Sequence, residues 1–399
     1  MTLTYSTDIV IFGGGIAGLW LLNRLRSEGY AAILLESDSL GGGQTIASQG
    51  IIHGGLKYAL SGSITGAASA IADMPARWRN CLQGNGDIDL SECRLLSQDY
   101  YMWSNAGIRS KLITFLGSKG LRGRVEVVAK TDYPDFFRQA TVAGILYRLP
   151  DFVVDTESLL HVLVKNQGGH IFKIDSGAIE FDHDDAGNID TVIIQQQDQR
   201  LQISVQRSIF CAGEGNQALA DQAKLDRTKS QTRPLKMVYL KKRELPPVYV
   251  HCIGDSFSLT PKLTVTSHTD ADGSTVWYLG GELAEAGVKR SDDQQIEAAM
   301  KLCDELFPWV DLIGARWQCF TINRAEANVD NDYRPDDACF IEQNNVVVAW
   351  PTKFTLTPSL VDKLIDHLAA NAVTPLQQSN TNKLSSVLDQ PKFATTHWD

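Results

Sequence analysis

The sequence predicts an α/β chain in two parts: a Rossmann-like nucleotide-binding domain and a mixed-sheet domain inserted into it. Three observations predict this. The stretch DIVIFGGGIAGLWLLNRLRSEGYAAILLE, Asp8 to Glu36, reads as strand, tight turn, helix and strand. Late in the chain, two further apolar runs, Ser208–Gly213 and Val346–Trp350, read as buried strands of the same sheet. Between them lie stretches rich in β-branched and aromatic residues, such as Thr264–His268 and Val276–Leu279, which read as strands of a second sheet.

The opening stretch carries Gly13, Gly15 and Gly18 in the spacing G-x-G-x-x-G. Gly13 allows the tight turn. Gly15, without a Cβ, lets a pyrophosphate approach the backbone, and Gly18 lets helix and strand pack closely. Ile16 and Ala17 open the helix within the same contact region. Glu36 ends the second strand, where a carboxylate can accept hydrogen bonds from ribose hydroxyls, and Ser37 follows it. The spacing alone is weak; its context of strand, helix and acid makes it a dinucleotide fingerprint.

Composition sets limits. With 399 residues, two or three domains are expected. Apolar residues at 43% and charged residues at 21% suit a globular chain with a large core. A net charge of −10 disfavours nucleic acid and anionic membranes as partners. Met1–Thr7 holds no positive charge and the following apolar run is broken by glycines, so no signal peptide is expected. No apolar run approaches the ~18 residues of a membrane span. Seven scattered cysteines without C-x-x-C argue for reduced thiols, a cytoplasmic protein and no metal site.

Six segments are expected: 1–83, 151–220 and 319–373 form the nucleotide domain, 84–150 and 221–318 the inserted domain, and 374–399 a polar, loosely ordered tail. A helix is expected to begin near Thr45 and run into an extended Gly50-Ile51-Ile52, with another over 64–80. Strands are expected at Tyr100–Trp103 and Val125–Val128. A helix over Asp155–Gly169, with Thr156 as N-cap and Gly168-Gly169 as its stop, precedes strands at His170–Ile174, Ala178–Phe181 and Thr191–Gln195. Arg227–Arg243 is locally basic around the apolar run Met237–Leu240, which reads as a lysine-protected edge strand; guidance of an anionic substrate is the competing reading. A helix over Asp292–Leu306 follows, and a last one over Pro358–Leu368. Cys211 reads as a core residue, and His251 and His268 as structural.

The fingerprint, its acid and the segment S-x-G-x-I-H-G-G-L-K-Y (Ser48–Tyr58) together resemble the D-amino-acid-oxidase-like superfamily of flavoproteins. Within it, the motifs resemble FAD-linked glycerol-3-phosphate dehydrogenases most; L-2-hydroxyglutarate and glycine oxidases are more distant. The resemblance implies an FAD domain with an inserted substrate domain. It implies that Gln44, Thr45, Ser48, Gln49, Gly50 and Ile51 line the FAD, that His53, Lys57 and Tyr58 face flavin or substrate, that the backbone near Ala178 meets the adenine, and that Ala212-Gly213 abuts the phosphates. Phe320–Arg324 resembles a segment ending in a substrate-binding arginine. In the flavin loop, Lys353 and Thr355 match the family's G-G-K-L-T-T. There the resemblance places Lys353 near the flavin N1–C2=O side.

Three departures stand out. Pro351 and Thr352 replace the loop's two glycines, Lys57 replaces an arginine whose planar fork grips anions, and the chain ends without the extra domain of the bacterial respiratory enzymes. The implied function is an FAD-dependent oxidoreductase taking hydride from a small polar, anionic substrate at a CH–OH carbon. His53 is the candidate base, because its ordinary pKa of about 6.5 lies near working pH. Arg324 is the candidate anion holder. The electron acceptor stays open between oxygen, a quinone and a carrier protein. Amine oxidation, action on modified nucleic acid, or structural retention of FAD are the alternatives.

Overall fold

Ile9, Val10 and Ile11 are completely buried, which requires cover on both faces of their strand. A computed structural model provides it, describing residues 2–55, 66–105, 125–196, 199–253, 261–329, 335–376 and 380–399. Thr2–Phe12 lies between two parallel neighbours, Ala32–Glu36 and Gln199–Phe210; Ile171–Lys173 extends one side and Val346–Trp350 the other, all parallel. Cys339–Gln343 pairs antiparallel outside Val346–Trp350. The hairpin Ile179–His183 and Ile189–Gln196 adds antiparallel to the N-terminal half of Gln199–Phe210.

One face of this sheet is covered by helices. Leu19, Trp20, Leu22 and Leu25 of Ile16–Ser27 pack with Leu159, Leu160 and Leu163 of Thr156–Lys165 and with Leu360, Val361 and Leu364 of Thr357–Ala370. The opposite face gathers Val10, Phe12, Phe172, Phe210 and Trp350.

The second sheet runs Arg316–Ala327, Ser230–Lys242, Thr275–Gly280, Leu263–Thr269, Val250–Ile253, Tyr100–Asn105, Gly144–Leu149 and Glu126–Val127. Neighbours are antiparallel, except that Val250–Ile253 and Tyr100–Asn105 run parallel. Its outer face carries Trp277, Leu279 and Val265 against Ala299, Cys303 and Leu306 of the helix Asp292–Leu306. Ser291 starts that helix with a capping box closed by Gln294. A third, small sheet pairs Ile51–Ile52 with Phe152–Val154, and Phe152–Val154 with Leu95–Ser97.

The structure departs from the sequence reading in five places. No helix forms at Thr45: residues 41–47 make successive turns, because Gly41 (φ +77°) and Gly43 (φ +63°) lie in the left-handed region. Asp155 rather than Thr156 caps its helix, accepting Ser158 N–H at 2.8 Å, and that helix ends at Lys165 before Gly168. The Val125–Val128 strand is reduced to Glu126–Val127. The basic strand 230–242 is not an edge; it lies between two partners, and its cations pair with acids: Lys236 with Asp292, Lys241 with Asp270, Lys242 with Asp311.

The C-terminal tail is docked rather than loose. Leu384 and Leu388 are buried against the first sheet, Phe393 bridges to Leu40, and Trp398, 5% exposed, packs on Tyr239, His268 and Tyr278 of the second sheet.

Candidate active site

The glycine turn brings two strand ends together. Gly13 has φ +105°, and a Cβ on it would lie 2.6 Å from Ala212 Cα. A Cβ on Gly18 would lie 2.0 Å from Gly13 O, so only glycine lets the helix sit this close. The helix begins at Gly15 with no side-chain cap. Thr45 Oγ1 accepts the Ile16 N–H at 3.1 Å and closes the cavity beside Gly15. Glu36 accepts N–H bonds from Gly14 and from Asp38, the latter at 2.7 Å. A carboxylate has about four acceptor positions, so its remaining capacity serves the cavity it borders.

That cavity, of about 700 Å³, runs between the two sheets. Glu36, at the end of its strand in the first sheet, and Ser37 and Asp38 just beyond it border the cavity on one side, and Leu235, Met237 and Ile322 of the second sheet on the other. Tyr278 bolts the intervening glycine-rich loop in place: its hydroxyl donates to Ala47 O (2.7 Å) and its carbonyl accepts from Gln49 Nε2 (2.9 Å). These groups fit a dinucleotide: glycine backbone and the helix start to donate to the pyrophosphate, and an acid at the second strand's end to accept from the ribose.

Residues 8–350 match the family model described as FAD dependent oxidoreductase. The chain belongs to that family. This flavoprotein's cofactor is FAD. It is 41% identical, over all of its length and 99% of the relative's, to a probable FAD-dependent oxidoreductase of Pseudomonas aeruginosa. The crystal structure of the FAD-dependent oxidoreductase from that organism superposes with a TM-score of 0.85 at 38% identity, covering 100% of this chain and 99% of the other. An L-α-glycerophosphate oxidase of Mycoplasma pneumoniae with FAD bound shares the fold at TM-score 0.65 and 16% identity, over 95% of this chain and 98% of that one. So does a glycine oxidase of Bacillus cereus, at TM-score 0.65 and 12% identity over 96% and 98%.

Most residues singled out in the sequence border this one cavity. Gly13, Gly15, Ile16, Ala17, Glu36 and Ser37 come from the fingerprint; Gln44, Thr45, Ser48, Gln49, Ile51 and His53 from the loop after it. Ala212, Gly213, Arg324, Lys353 and Thr355 arrive from three distant segments. Three do not border it. Gly18 serves helix packing. Gly50 (φ +68°) serves the small sheet, where a Cβ would meet Val154 O at 2.1 Å. Ala178 N–H closes a turn on Asp175 O (3.0 Å), while Ser176 and Ile179 line the cavity instead. Lys57 and Tyr58 lie outside the described residues.

Arg324 Nε donates to Arg233 O (3.4 Å), and its guanidinium stands 3.9 Å from Glu285. Lys353 Nζ donates to Asp336 O at 2.7 Å. Thr355 Oγ1 reaches His53 O at 3.5 Å, joining the His53 turn to the flavin loop. That loop answers one departure from the family pattern. Thr352, in place of a glycine, takes φ +56°, and Lys353 N–H turns back to Pro351 O at 2.6 Å. The chain thus keeps a backbone conformation that glycine favours, using a β-branched residue.

Cys211 also borders the cavity, where burial pushes its thiol up to about 12, too high for a resting thiolate nucleophile. His251 and His268 are held neutral, their pKa values lowered by burial to about 4. His251 Nδ1 lies 2.9 Å from Thr264 Oγ1, and His268 Nε2 lies 3.0 Å from Thr266 Oγ1; neither borders the cavity. Sequence reasoning missed Glu214 and Asn323, joined across the cavity rim at 2.9 Å, because nothing local links a turn after one strand to the middle of another. Among the described residues, no helix is long and apolar enough to cross a membrane, and no cluster of three or more His, Cys, Asp or Glu could hold a metal.

Proposed function

We propose that this FAD-dependent oxidoreductase oxidises a small polar substrate with an anionic group, at a carbon bearing a hydroxyl. When bound, FAD supplies the two-electron acceptor that takes hydride from that carbon. One observation carries the reading: His53, Arg324 and Lys353, far apart in the chain, border a single cavity. An imidazole nitrogen of His53 takes the substrate hydroxyl proton as the C–H bond breaks. The Arg324 guanidinium holds the anionic end, and a planar fork suits a carboxylate or phosphate. Lys353 adds positive charge to the same wall, favouring the negative charge that accumulates as the reaction proceeds. Leu235, Met237 and Ile322 exclude water from that end.

The test is anaerobic bleaching of the flavin absorbance with glycerol phosphates, 2-hydroxy acids and amino acids in parallel. Hydroxylated anions should bleach it. Bleaching by amino acids alone would replace the hydroxyl with an amine as the oxidised group, and bleaching by none would leave small-molecule oxidation without support. With a bleaching substrate in hand, His53→Gln should slow flavin reduction ~10²–10⁴-fold. Arg324→Lys should weaken substrate binding with FAD content unchanged.

A further inference from the structure

The turn that carries His53 is held by a buried carboxylate outside the cavity. Ile51 and Ile52 pair with Val153 and Phe152, and Val154 N–H donates to Gly50 O at 2.9 Å. Beyond Ile52 the ladder ends, and residues 53–55 need other anchors. Gly54 N–H donates to Asp151 Oδ1 at 2.8 Å. A Cβ on Gly54 would stand 3.3 Å from Pro150 Cγ and 3.5 Å from Pro75 Cγ, so the turn is wedged between two rigid rings. A second tether, Thr355 Oγ1 to His53 O, is longer at 3.5 Å.

Asp151 is only 3% exposed. A carboxylate costs far more to bury than the asparagine that could accept the same bond. What the charge adds is strength, because an ionised acceptor binds an amide about twice as strongly as a neutral one. Burial pushes the Asp151 carboxyl up to about 7, against the pull of the Gly54 N–H and of Arg79 on the helix Gly66–Leu82. Tyr100, from the second sheet, has its phenol raised by burial and then by the Asp151 charge, so it stays protonated at neutral pH.

We propose that Asp151 is a positioning residue for His53: its carboxylate fixes the Gly54 amide, and with it the angle at which the imidazole enters the FAD cavity. This deepens the proposed role of His53 as base but concerns its placement, so it is read without turnover. The experiment uses FAD-saturated protein carrying [13Cε1]histidine, with the His53 signal assigned by its loss in His53→Gln, together with hydrogen exchange of Gly54.

At pH 8, Asp151→Ala should move or broaden the His53 signal and speed Gly54 exchange at least tenfold, with FAD retained. Asp151→Asn, a neutral acceptor, should restore the His53 signal and hold Gly54 exchange between the wild-type and Ala rates. In the wild type itself, the Gly54 protection factor should rise at least threefold from pH 6 to pH 8 as the carboxyl ionises. An unchanged His53 signal in Asp151→Ala, or an Asn variant as displaced as the Ala variant, overturns the proposal. If the Ala variant does not fold, Asp151→Leu, of similar size but with no acceptor, takes its place, and an unchanged His53 signal with unchanged Gly54 exchange in it overturns the proposal. His53→Gln reducing flavin at the wild-type rate would remove the base assignment alone.

Discussion

Thr352→Gly should stabilise this protein, although the substitution removes a side chain and a hydrogen bond. Thr352 takes φ +56° at the centre of a three-residue turn closed by Lys353 N–H on Pro351 O. A strained residue of this kind costs on the order of 1–3 kcal/mol, and β-branching places threonine toward the upper end. Glycine removes that cost but adds about 0.5–1 kcal/mol through the freedom of the unfolded chain. The Thr352 Oγ1 bond to Pro351 O, 2.7 Å long and partly exposed, offsets the lower part of a range of about 0.5–1.5 kcal/mol. The balance is a gain of about 1 kcal/mol. Thr352→Ala keeps the unfavourable φ, sheds the β-branch and loses the hydroxyl, so its stability should fall between wild type and Thr352→Gly. Urea unfolding of the FAD-free protein, at unchanged m-value, reads all three. A glycine variant that loses 1 kcal/mol or more, or an alanine variant more stable than it, would refute the strain argument.

Three further outcomes follow from the same geometry. Glu36→Ala should weaken FAD binding ~10–100-fold and also lower the FAD-free protein's unfolding midpoint, because the carboxylate proposed to accept from the ribose also accepts from the Gly14 and Asp38 amides; isothermal titration and urea unfolding separate the two effects, and unchanged FAD affinity would refute the ribose assignment. Trp398→Ala removes an indole packed on His268 and Tyr278; a buried tryptophan is worth ~3–5 kcal/mol, but the tail can undock, so hydrogen exchange should rise across 380–399 before the global transition falls by that amount. His268 has its pKa lowered to about 4 by burial. The unfolded chain therefore binds the extra proton first, and the stability His268 contributes is present above pH ~6.5 and lost as pH falls toward 4. His268→Gln should gain about 2 kcal/mol relative to wild type on going from pH 7.5 to pH 5, and a pH-independent difference would contradict the burial argument.

Local spacing was enough to reveal the dinucleotide turn. Gly13, Gly15, Gly18 and Glu36 act within one strand–helix–strand unit, and each role follows from the absence of a Cβ or from position at a strand end. The strand Val346–Trp350 and the helix Asp292–Leu306 were equally legible, since continuous apolar character and 3.6-residue periodicity are properties of a segment. The turns over 41–47 were not, because a helical pattern carries no record of which glycines take positive φ.

The tail misled for a related reason. Its average polarity suggests looseness, yet Leu384, Leu388, Phe393 and Trp398 each meet a prepared surface that exists only once both sheets are built. The lysines of 230–242 look like a charged edge until Asp270, Asp292 and Asp311 arrive from other elements. Asp151 carries no motif at all; its burial under Gly54 is made by the pairing of Ile51–Ile52 with Phe152–Val153, a hundred residues apart in the chain. Sequence alone therefore determined the dinucleotide turn and the sheet that holds it, since those depend on short-range spacing, and the resemblance of its motifs to a flavoprotein family pointed to FAD. Tertiary structure decided which charges are paired, which tail is docked and which carboxylate holds the His53 turn, because each requires a partner that only folding brings within hydrogen-bonding distance.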